Sequence, residues 1–377
     1  MVFVQVPSGK QKGTVYVAYA YPNTNAHEKL KEVPDSIVQR MENAMQSMLR
    51  AGLRVKYESP DYVPEVPREI VLRAVAGVDA VILLLTCKVD EEFYDAAGDH
   101  LKVVANTAVG TDNIDKQIAT NRGILVTNTP GVLTYATADL TCALILATSR
   151  RVVQSHSLVV NGGWNQPWYP FGEQQSVSWG VRNKTLGVVG AGRIGTQVAL
   201  SMHSGFGMRI FYTDLEANRI LDALPGTQRV DLKTLLREAD VVTLHTQLDE
   251  NTKGLIGEEE LGLMKPSAII VNTSRGPVLD FQALIKALKE RKIGGAGLDV
   301  FEKEPFNPLT AGIPPEVLAM MTFTAHIASA ELDTRANMVE MAVDNTIRAL
   351  RGDFPPQVVP EQAGLDPAIF RNHILRA

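Results

Sequence analysis

The sequence has only two cysteines, Cys87 and Cys142, among 377 residues. Two thiols cannot build a disulfide framework or a four-cysteine zinc site. No apolar run approaches the ~20 residues of a membrane-spanning helix, and residues 1–10 lack the basic region and apolar stretch of a signal peptide. The net charge of −5 gives no basic surface for nucleic acid or an anionic membrane. We therefore expect a cytoplasmic protein that acts on small molecules without a metal, a membrane or a nucleic acid.

The remaining composition is that of a globular protein, with 45% apolar and 21% charged residues. At roughly 150 residues per domain, the length predicts two or three domains. Short β-branched runs alternate with longer amphipathic segments, which is typical of an α/β fold with doubly wound parallel sheets. Predicted strands fall into two series, at residues 14–20, 54–59, 80–85, 102–107 and 124–127, and at residues 185–189, 209–212, 241–244, 268–271 and 296–300.

Two long helices are predicted to connect the two series of strands. One covers residues 135–155, and the other covers residues 331–350 and ends before Gly352. The pattern thus predicts one α/β domain at residues 1–132 and 330–377, into which a second, at residues 133–329, is inserted. The polar stretches at residues 22–35 and 60–68, and the tail after Asp353, are expected to be surface loops or extensions.

A G-x-G-x-x-G motif is formed by Gly190, Gly192 and Gly195 between a predicted strand and a predicted helix. Such glycines can simply make a turn and pack a helix, but this context is the one required for a dinucleotide. The first glycine makes the turn, the second lets a pyrophosphate approach the backbone, and the third lets the helix press on the sheet. The pyrophosphate would meet backbone N–H groups near Arg193 and Ile194.

Asp214 stands at the end of the next predicted strand. A carboxylate at this place accepts hydrogen bonds from the hydroxyls of the adenosine ribose, and it repels a 2′-phosphate. If it is not merely a solvated loop acid, Asp214 therefore favours NAD(H) as the cofactor and makes NADP(H) less suitable.

Three charged or titratable residues follow later strands: Arg275, Glu304 and His326, the last after a further predicted strand at residues 321–324. Separately, they read as a surface charge, a loop acid and a structural histidine. Ligands of open α/β sheets, however, bind at the carboxyl ends of the strands. Their joint placement beside a dinucleotide motif favours a catalytic group.

Several stretches carry a family resemblance, and they occur in order at residues 101–115, 122–134, 136–139, 185–199, 272–276, 295–301 and 326–330. On these the chain resembles the D-isomer-specific 2-hydroxyacid dehydrogenases. Residues 161–164 and 168–171 are similar to the glyoxylate/hydroxypyruvate reductase branch. The resemblance implies a Rossmann NAD-binding domain inserted into a flavodoxin-like substrate-binding domain.

The resemblance also implies roles for the polar residues. Arg275 would hold the substrate carboxylate together with the N–H groups of Val109 and Gly110. His326 would give a proton to the carbonyl oxygen, which suits a group that titrates near neutrality. Glu304 would orient His326 and favour its charged form. Positions that would line the cofactor cleft are Thr137, His245, Thr246, Thr273, Asp299, His326 and Ala328, with Asp299 near the nicotinamide carboxamide.

The implied activity is the reduction of a small 2-oxo acid, such as glyoxylate or hydroxypyruvate, to the D-2-hydroxy acid. D-lactate, an aromatic 2-oxo acid, 3-phosphoglycerate and phosphite remain open as other substrates, whereas formate dehydrogenases are expected to have Gln where Glu304 stands. An NAD-sensing corepressor-like binding protein is the alternative of another class. The aromatic segment at residues 164–171 predicts a homodimer, as an arm packed on a partner or as a lid.

Overall fold

The structure is a computed structural model that describes residues 2–4, 13–17, 33–57, 66–166 and 180–374. The chain divides into two compact units, one comprising Met1–Leu133 and Glu331–Ala377 and the other comprising Thr134–Ala330. Each unit is built on a single sheet. Among the described residues, no helix combines the length and the hydrophobicity needed to cross a bilayer.

The first unit contains a six-stranded sheet whose strands are mostly parallel. In space its strands follow the order β1-β3-β2-β4-β5-β6, and β1 alone is antiparallel to its neighbour. The strands are β1 (Val2–Val4), β2 (Gly13–Val17), β3 (Leu53–Tyr57), β4 (Ala80–Leu83), β5 (Val103–Asn106) and β6 (Leu125–Thr127). The helices between them are α1 (Asp35–Arg50), α2 (Arg68–Ala74), α3 (Glu91–Ala97) and α4 (Lys116–Asn121).

The second unit has a seven-stranded sheet in which all paired strands are parallel, in the order β13-β12-β11-β10-β7-β8-β9. Its strands are β7 (Thr185–Val189), β8 (Arg209–Thr213), β9 (Gln228–Arg229), β10 (Val241–Leu244), β11 (Ile269–Asn272), β12 (Gly295–Leu298) and β13 (Met321–Phe323). Its helices are α5 (Thr134–Ser149), α6 (Val152–Val160), α7 (Arg193–Phe206), α8 (Arg219–Asp222), α9 (Leu232–Glu238), α10 (Glu258–Leu263), α11 (Phe281–Lys289) and α12 (Pro315–Leu318).

The chain then returns to the first unit through α13 (Leu332–Leu350), α14 (Pro360–Ala363) and α15 (Pro367–Ile374). In β2, alternate residues face opposite helical layers. Val15 and Val17 of β2 pack with residues of α1 and α13, whereas Tyr16 packs with residues of α2, α3 and α4. The second unit repeats this arrangement, with α9 to α12 on one face and α5, α7 and α8 on the other. Both units are therefore doubly wound, as the sequence predicted.

Each of the eleven predicted strands is present, although residues 18–20 and 58–59 lie outside the described residues. β1 and β9 were missed, because runs of three and two residues carry no periodic signal. Much of the predicted loops at residues 22–35 and 60–68, and the aromatic residues 168–171, also lie outside the described residues.

The predicted helix at residues 135–155 is wrong as a single element. α5 ends at Ser149, and Arg151 takes a left-handed backbone conformation with φ 50° before α6 begins at Val152. Half of the residues of α5 are buried, but no residue of α6 is. A helical period cannot reveal a two-residue break, because the apolar spacing continues on both sides of it.

The tail after Asp353 was expected to be a surface extension, and this is also wrong. Phe370 of α15 is 1% exposed and joins the core beneath α1 and α13. Gln362 of α14 is fully buried, where its amide bonds with Thr120, Ile124 and Val126. The segment is polar on average, so composition conceals the two side chains that anchor it.

Candidate active site

The glycine loop follows β7 and opens α7 in the second unit. Gly190 has φ 91°, and a Cβ there would come within 2.8 Å of the His245 backbone, so this turn requires glycine. A Cβ on Gly195 would lie 2.1 Å from the Gly190 carbonyl oxygen. Among the described residues, nothing lies within 4 Å of a Cβ built on Gly192. This open space, next to the N-terminal amides of α7 at Arg193 and Ile194, fits a pyrophosphate.

Asp214 follows β8 and is bonded to the glycine loop. Its Oδ2 accepts the Ala191 N–H at 2.6 Å, and its Oδ1 accepts the Leu215 N–H at the same distance. The carboxylate therefore lies at the loop, where an adenosine ribose would meet it. Arg229 donates to the carbonyl oxygens of Asp214 and Leu215 and so fixes the backbone that carries this carboxylate.

Glu304 and His326 form a hydrogen-bonded pair at the carboxyl ends of β12 and β13. Glu304 Oε2 lies 2.7 Å from His326 Nδ1, while Oε1 accepts the Phe301 N–H at 3.0 Å. Burial works to raise the pKa of Glu304, but these two hydrogen bonds and the charges of His326 and Arg275 bring the pKa below its ordinary value. The side chains of Glu304 and His326 are 32% and 25% exposed, so the pair is open to a ligand.

Arg275 follows β11 and belongs to the same group, since its charge acts on Glu304. Asn272 holds the Arg275 loop: its Nδ2 donates to the Arg275 carbonyl oxygen, and its Oδ1 accepts from Ser274. The loop then passes against the chain that leads to Glu304. A Cβ on Gly276 would lie 2.0–2.3 Å from the backbone of Phe301 and Glu302. Glycine at this position is what brings the two loops together.

Asp299 is fully buried and holds the loop that carries His326. Its Oδ1 accepts from the Thr324 hydroxyl at 2.6 Å and from the Ile327 N–H at 2.9 Å, and its Oδ2 accepts the Ala328 N–H at 3.0 Å. His326 itself has φ 53°, a left-handed conformation that costs a non-glycine residue about 1 kcal/mol. The three hydrogen bonds to Asp299 offset this strain. Both carboxylate oxygens thus support the loop, and the position of Asp299 near the nicotinamide carboxamide stays a prediction.

His245 and Thr246 follow β10 at the same edge of the sheet. The Thr243 hydroxyl lies 2.9 Å from His245 Nε2, and burial lowers the pKa of His245 to about 3. His245 is therefore neutral at physiological pH. The Thr246 hydroxyl is buried, with no hydrogen-bond partner among the described residues.

The remaining predicted residues are placed as follows. Thr137 and Thr273 are buried in the second unit, the former in α5 and the latter just after β11. Val109 and Gly110 follow β5 in the first unit, where Asn128 and Asn106 bond their carbonyl oxygens at 2.8 Å. The structure thus gathers the predicted catalytic and cofactor residues into one unit, and Val109 and Gly110 belong to the other. Within the described residues, no group of three His, Cys, Asp or Glu side chains could hold a metal ion.

Comparison with known proteins assigns the chain to a family. The D-isomer specific 2-hydroxyacid dehydrogenase, NAD binding domain, matches residues 142–328. A glyoxylate reductase of Thermococcus litoralis is 47% identical over 297 residues, which cover 78% of this chain and 87% of that enzyme. The chain belongs to the D-isomer-specific 2-hydroxyacid dehydrogenase family.

Solved structures agree with this assignment. A protein of Thermus thermophilus is 38% identical, with a TM-score of 0.75 over 92% of this dehydrogenase and 99% of that chain. The NADPH-dependent glyoxylate/hydroxypyruvate reductase of Sinorhizobium meliloti is 26% identical, with a TM-score of 0.71 over 93% and 97% of the two chains. The predicted family and fold class are confirmed. The dehydrogenase is an oxidoreductase with a domain for a nicotinamide cofactor.

Sequence reasoning missed Asn218, which secures the glycine loop of the dehydrogenase. Its Nδ2 donates to the Ala191 carbonyl oxygen and to the Thr196 hydroxyl, both at 2.7 Å. Its Oδ1 accepts from the first N–H groups of α8, including those of Ile220 and Leu221. An Asn just before a helix is a recognisable cap signal. Its bond to a loop 27 residues earlier carries no such signal.

Proposed function

We propose that this dehydrogenase reduces a small 2-oxo acid of the glyoxylate or hydroxypyruvate type to the D-2-hydroxy acid, with NADH as the preferred cofactor. The observation that carries the proposal is the Glu304–His326 pair beside Arg275, at the carboxyl edge of the sheet that bears the glycine loop. Related proteins named glyoxylate reductase support the substrate class. When bound, the cofactor supplies a hydride.

The side chains divide the remaining work between them. Arg275 pairs its planar guanidinium with the substrate carboxylate, because a guanidinium matches a carboxylate through two parallel hydrogen bonds. His326 uses Nδ1 to bond Glu304, so Nε2 is the nitrogen that gives its proton to the carbonyl oxygen as that oxygen becomes a hydroxyl. Glu304 remains an anion and stabilises the charged imidazole. We assign Gly190, Gly192, Arg193, Ile194, Gly195 and Asp214 to the dinucleotide, and Thr137, His245, Thr246, Thr273, Asp299 and Ala328 to the walls and supports of its cleft.

The test is a set of turnover and binding measurements on single variants. His326→Ala should reduce kcat at least about 100-fold, because the proton donor is lost, and leave the Kd for NADH within about twofold of wild type. His100→Ala, which removes an exposed histidine of the first unit, is the matched control. Arg275→Lys should raise KM for the 2-oxo acid and lower kcat together. Unchanged turnover in His326→Ala would remove the proposed role.

Substrate class is tested with a matrix of 2-oxo acids and both reduced cofactors. Glyoxylate and hydroxypyruvate should give higher kcat/KM values than pyruvate, an aromatic 2-oxo acid or a phosphorylated acid. If NADH binds and no acid in the panel is reduced, the chain is a cofactor-sensing binding protein instead.

The preference for NADH is inferred from Asp214. Because its carboxylate would repel a 2′-phosphate, NADH should bind at least about tenfold more tightly than NADPH, which is about 1.4 kcal/mol. Asp214→Asn removes the charge and keeps only one oxygen, which can accept the Ala191 N–H. NADH should therefore bind more weakly, NADPH should lose its repulsion, and the preference for NADH should fall. Equal binding of both cofactors by the wild type would contradict the assignment and point to the nearby Arg219 as a phosphate partner.

We also propose that the protein is a homodimer of the cytoplasm. Four valines of α6 are 42–62% exposed, and Trp164 is 58% exposed, so this end of the second unit presents apolar surface to solvent. Cys87 and Cys142 do not form a disulfide, as suits a reducing compartment. Light scattering should give twice the chain mass, and the double variant Val153→Glu/Val160→Glu should give the mass of a single chain. A monomeric wild type would contradict the homodimer.

A further inference from the structure

A pair of buried threonine hydroxyls joins α5 to the end of β11. Oγ1 of Thr141 lies 2.8 Å from Oγ1 of Thr273 and 2.7 Å from the carbonyl oxygen of Thr137. Thr141 is fully buried, and Thr273 is 7% exposed. The sequence resemblance marked Thr137 and Thr273 as cofactor residues, but not Thr141.

The two distances determine the direction of the hydrogen bonds. A carbonyl oxygen can only accept, so the single proton of the Thr141 hydroxyl points to Thr137. The contact between the two hydroxyls must then use the proton of Thr273, because two lone pairs at 2.8 Å would repel each other. The Thr273 hydroxyl therefore donates to Thr141, and the Thr141 hydroxyl donates to the Thr137 carbonyl oxygen. We call these two consecutive hydrogen bonds the relay.

This direction limits what Thr273 offers to a ligand. Its proton is committed to Thr141, so its hydroxyl can offer only lone pairs to a ligand. It cannot donate to a phosphate or to an amide oxygen, and it can accept from a ligand O–H or N–H. Thr273 lies two residues before Arg275, on the side of the cleft where the substrate carboxylate is proposed to bind. The donors that a nicotinamide dinucleotide has at this end are its ribose hydroxyls and its carboxamide N–H groups.

We propose that Thr141 is a positioning residue, which fixes the Thr273 hydroxyl as a hydrogen-bond acceptor for a donor on the nicotinamide half of the cofactor. This inference rests on the proposed function, since it requires NADH to bind at the carboxyl edge of the sheet. It assigns to α5 an indirect part in cofactor recognition, through Thr273.

The experiment measures the Kd of NADH, ADP-ribose and ADP for purified full-length variants. Thr141→Val keeps the size of the side chain but removes the acceptor, which leaves the Thr273 proton free to face the ligand donor. We expect the Kd for NADH to rise about five- to tenfold, the effect of one hydrogen bond. Thr141→Ser keeps the hydroxyl and should retain the wild-type Kd for NADH. In the double variant Thr141→Val/Thr273→Val, the Kd should rise no further than in Thr273→Val, because Thr141 acts only through Thr273.

Thr346→Val is the matched control. Thr346 is a fully buried threonine of α13 in the first unit, and its hydroxyl bonds the Ala342 carbonyl oxygen at 2.8 Å, as Thr141 does with Thr137. Both valine variants should lose similar thermal stability, and only Thr141→Val should weaken NADH binding. This comparison separates the relay from the loss of a helix hydrogen bond.

The smaller ligands identify the donor. ADP lacks the nicotinamide ribose and the carboxamide, and its Kd should be unchanged in Thr141→Val. If the Kd for ADP-ribose rises together with that for NADH, the donor is a ribose hydroxyl; if only NADH is affected, the donor is the carboxamide. An unchanged Kd for NADH in Thr141→Val, or an equal rise for ADP, would overturn the relay alone. A wild-type chain that does not bind NADH would overturn the proposed function as well.

Discussion

Glu304 faces His326 with one carboxylate oxygen and the Phe301 N–H with the other. Both contacts require an acceptor. In Glu304→Gln the amide offers one acceptor and one donor, so either the histidine bond or the loop bond is lost, together with the charge. We expect kcat to fall about 10- to 100-fold, with little change in the Kd for NADH. Glu302→Gln, an exposed change in the same loop, should retain full kcat.

Gly276→Ala tests how closely the Arg275 loop must approach the Glu304 loop. The added methyl group would meet the backbone of Phe301 and Glu302 at 2.0–2.3 Å, and neither can move like a flexible side chain. We expect kcat/KM for the 2-oxo acid to fall at least about tenfold, and the free energy of unfolding to fall by about 1–3 kcal/mol, as in overpacked sites. Gly262→Ala in α10, where the methyl group would meet nothing within 4 Å among the described residues, should retain kcat/KM.

Asp299→Asn tests the support of His326. Asn would place an amide N–H against the N–H of Ala328 or the donors at Ile327 and Thr324, so one buried donor loses its acceptor. The free energy of unfolding should fall by about 1–3 kcal/mol, and kcat should fall because the left-handed loop relaxes. Urea unfolding and steady-state kinetics measure the two effects. A variant with normal stability and kcat but a raised Kd for NADH would show that Asp299 contacts the cofactor instead.

His245 should make the stability of the apo-protein depend on pH. Its folded pKa is about 3, and its pKa in the unfolded chain is ~6.5. Between these values the unfolded state binds the extra proton, so stability falls as the pH is lowered from about 6.5 towards 3. His245→Gln removes this titration, and its oxygen can still accept from Thr243. The loss of unfolding free energy between pH 7 and pH 5 should then be smaller by of order 1 kcal/mol than in wild type. His100→Gln should retain the wild-type loss.

Gln362→Ala tests the anchor of the C-terminal segment. The variant leaves the Val126 N–H and the Ile124 carbonyl oxygen without their buried partner. Unfolding free energy should fall by about 2–4 kcal/mol, measured by urea denaturation. Its neighbour provides the contrast: Glu361→Ala removes an ion pair with Lys116 whose carboxylate is 48% exposed, and it should cost less than about 1 kcal/mol. Equal costs would show that Gln362 is not the anchor.

Much of the fold was predictable, because the hydrophobic periodicity of residues close in sequence determines where strands and helices form. The strand before Gly190, the helix after it and Asp214 at the end of the next strand form one local pattern. The contacts that support the site are different in kind. Thr141 and Thr273 are 132 residues apart, and Gln362 and Val126 are 236 residues apart. No local pattern encodes such pairs, because they depend on how strands are ordered in the sheet.

The segment from Gln357 to Gln362 also protects the protein from aggregation through the edge of its first sheet. β6 is the last strand of its sheet, and an outer strand with unpaired amides and carbonyls is a template for strands of other molecules. Here Asn128 donates to the Gln357 carbonyl oxygen, Val359 donates to the Val126 carbonyl oxygen, and Val358 bridges Thr127. The returning chain thus occupies the hydrogen-bonding groups of β6. Loss of this segment would therefore expose the backbone N–H and carbonyl groups of β6 to strands of other molecules, and fibrils or amorphous aggregates would form.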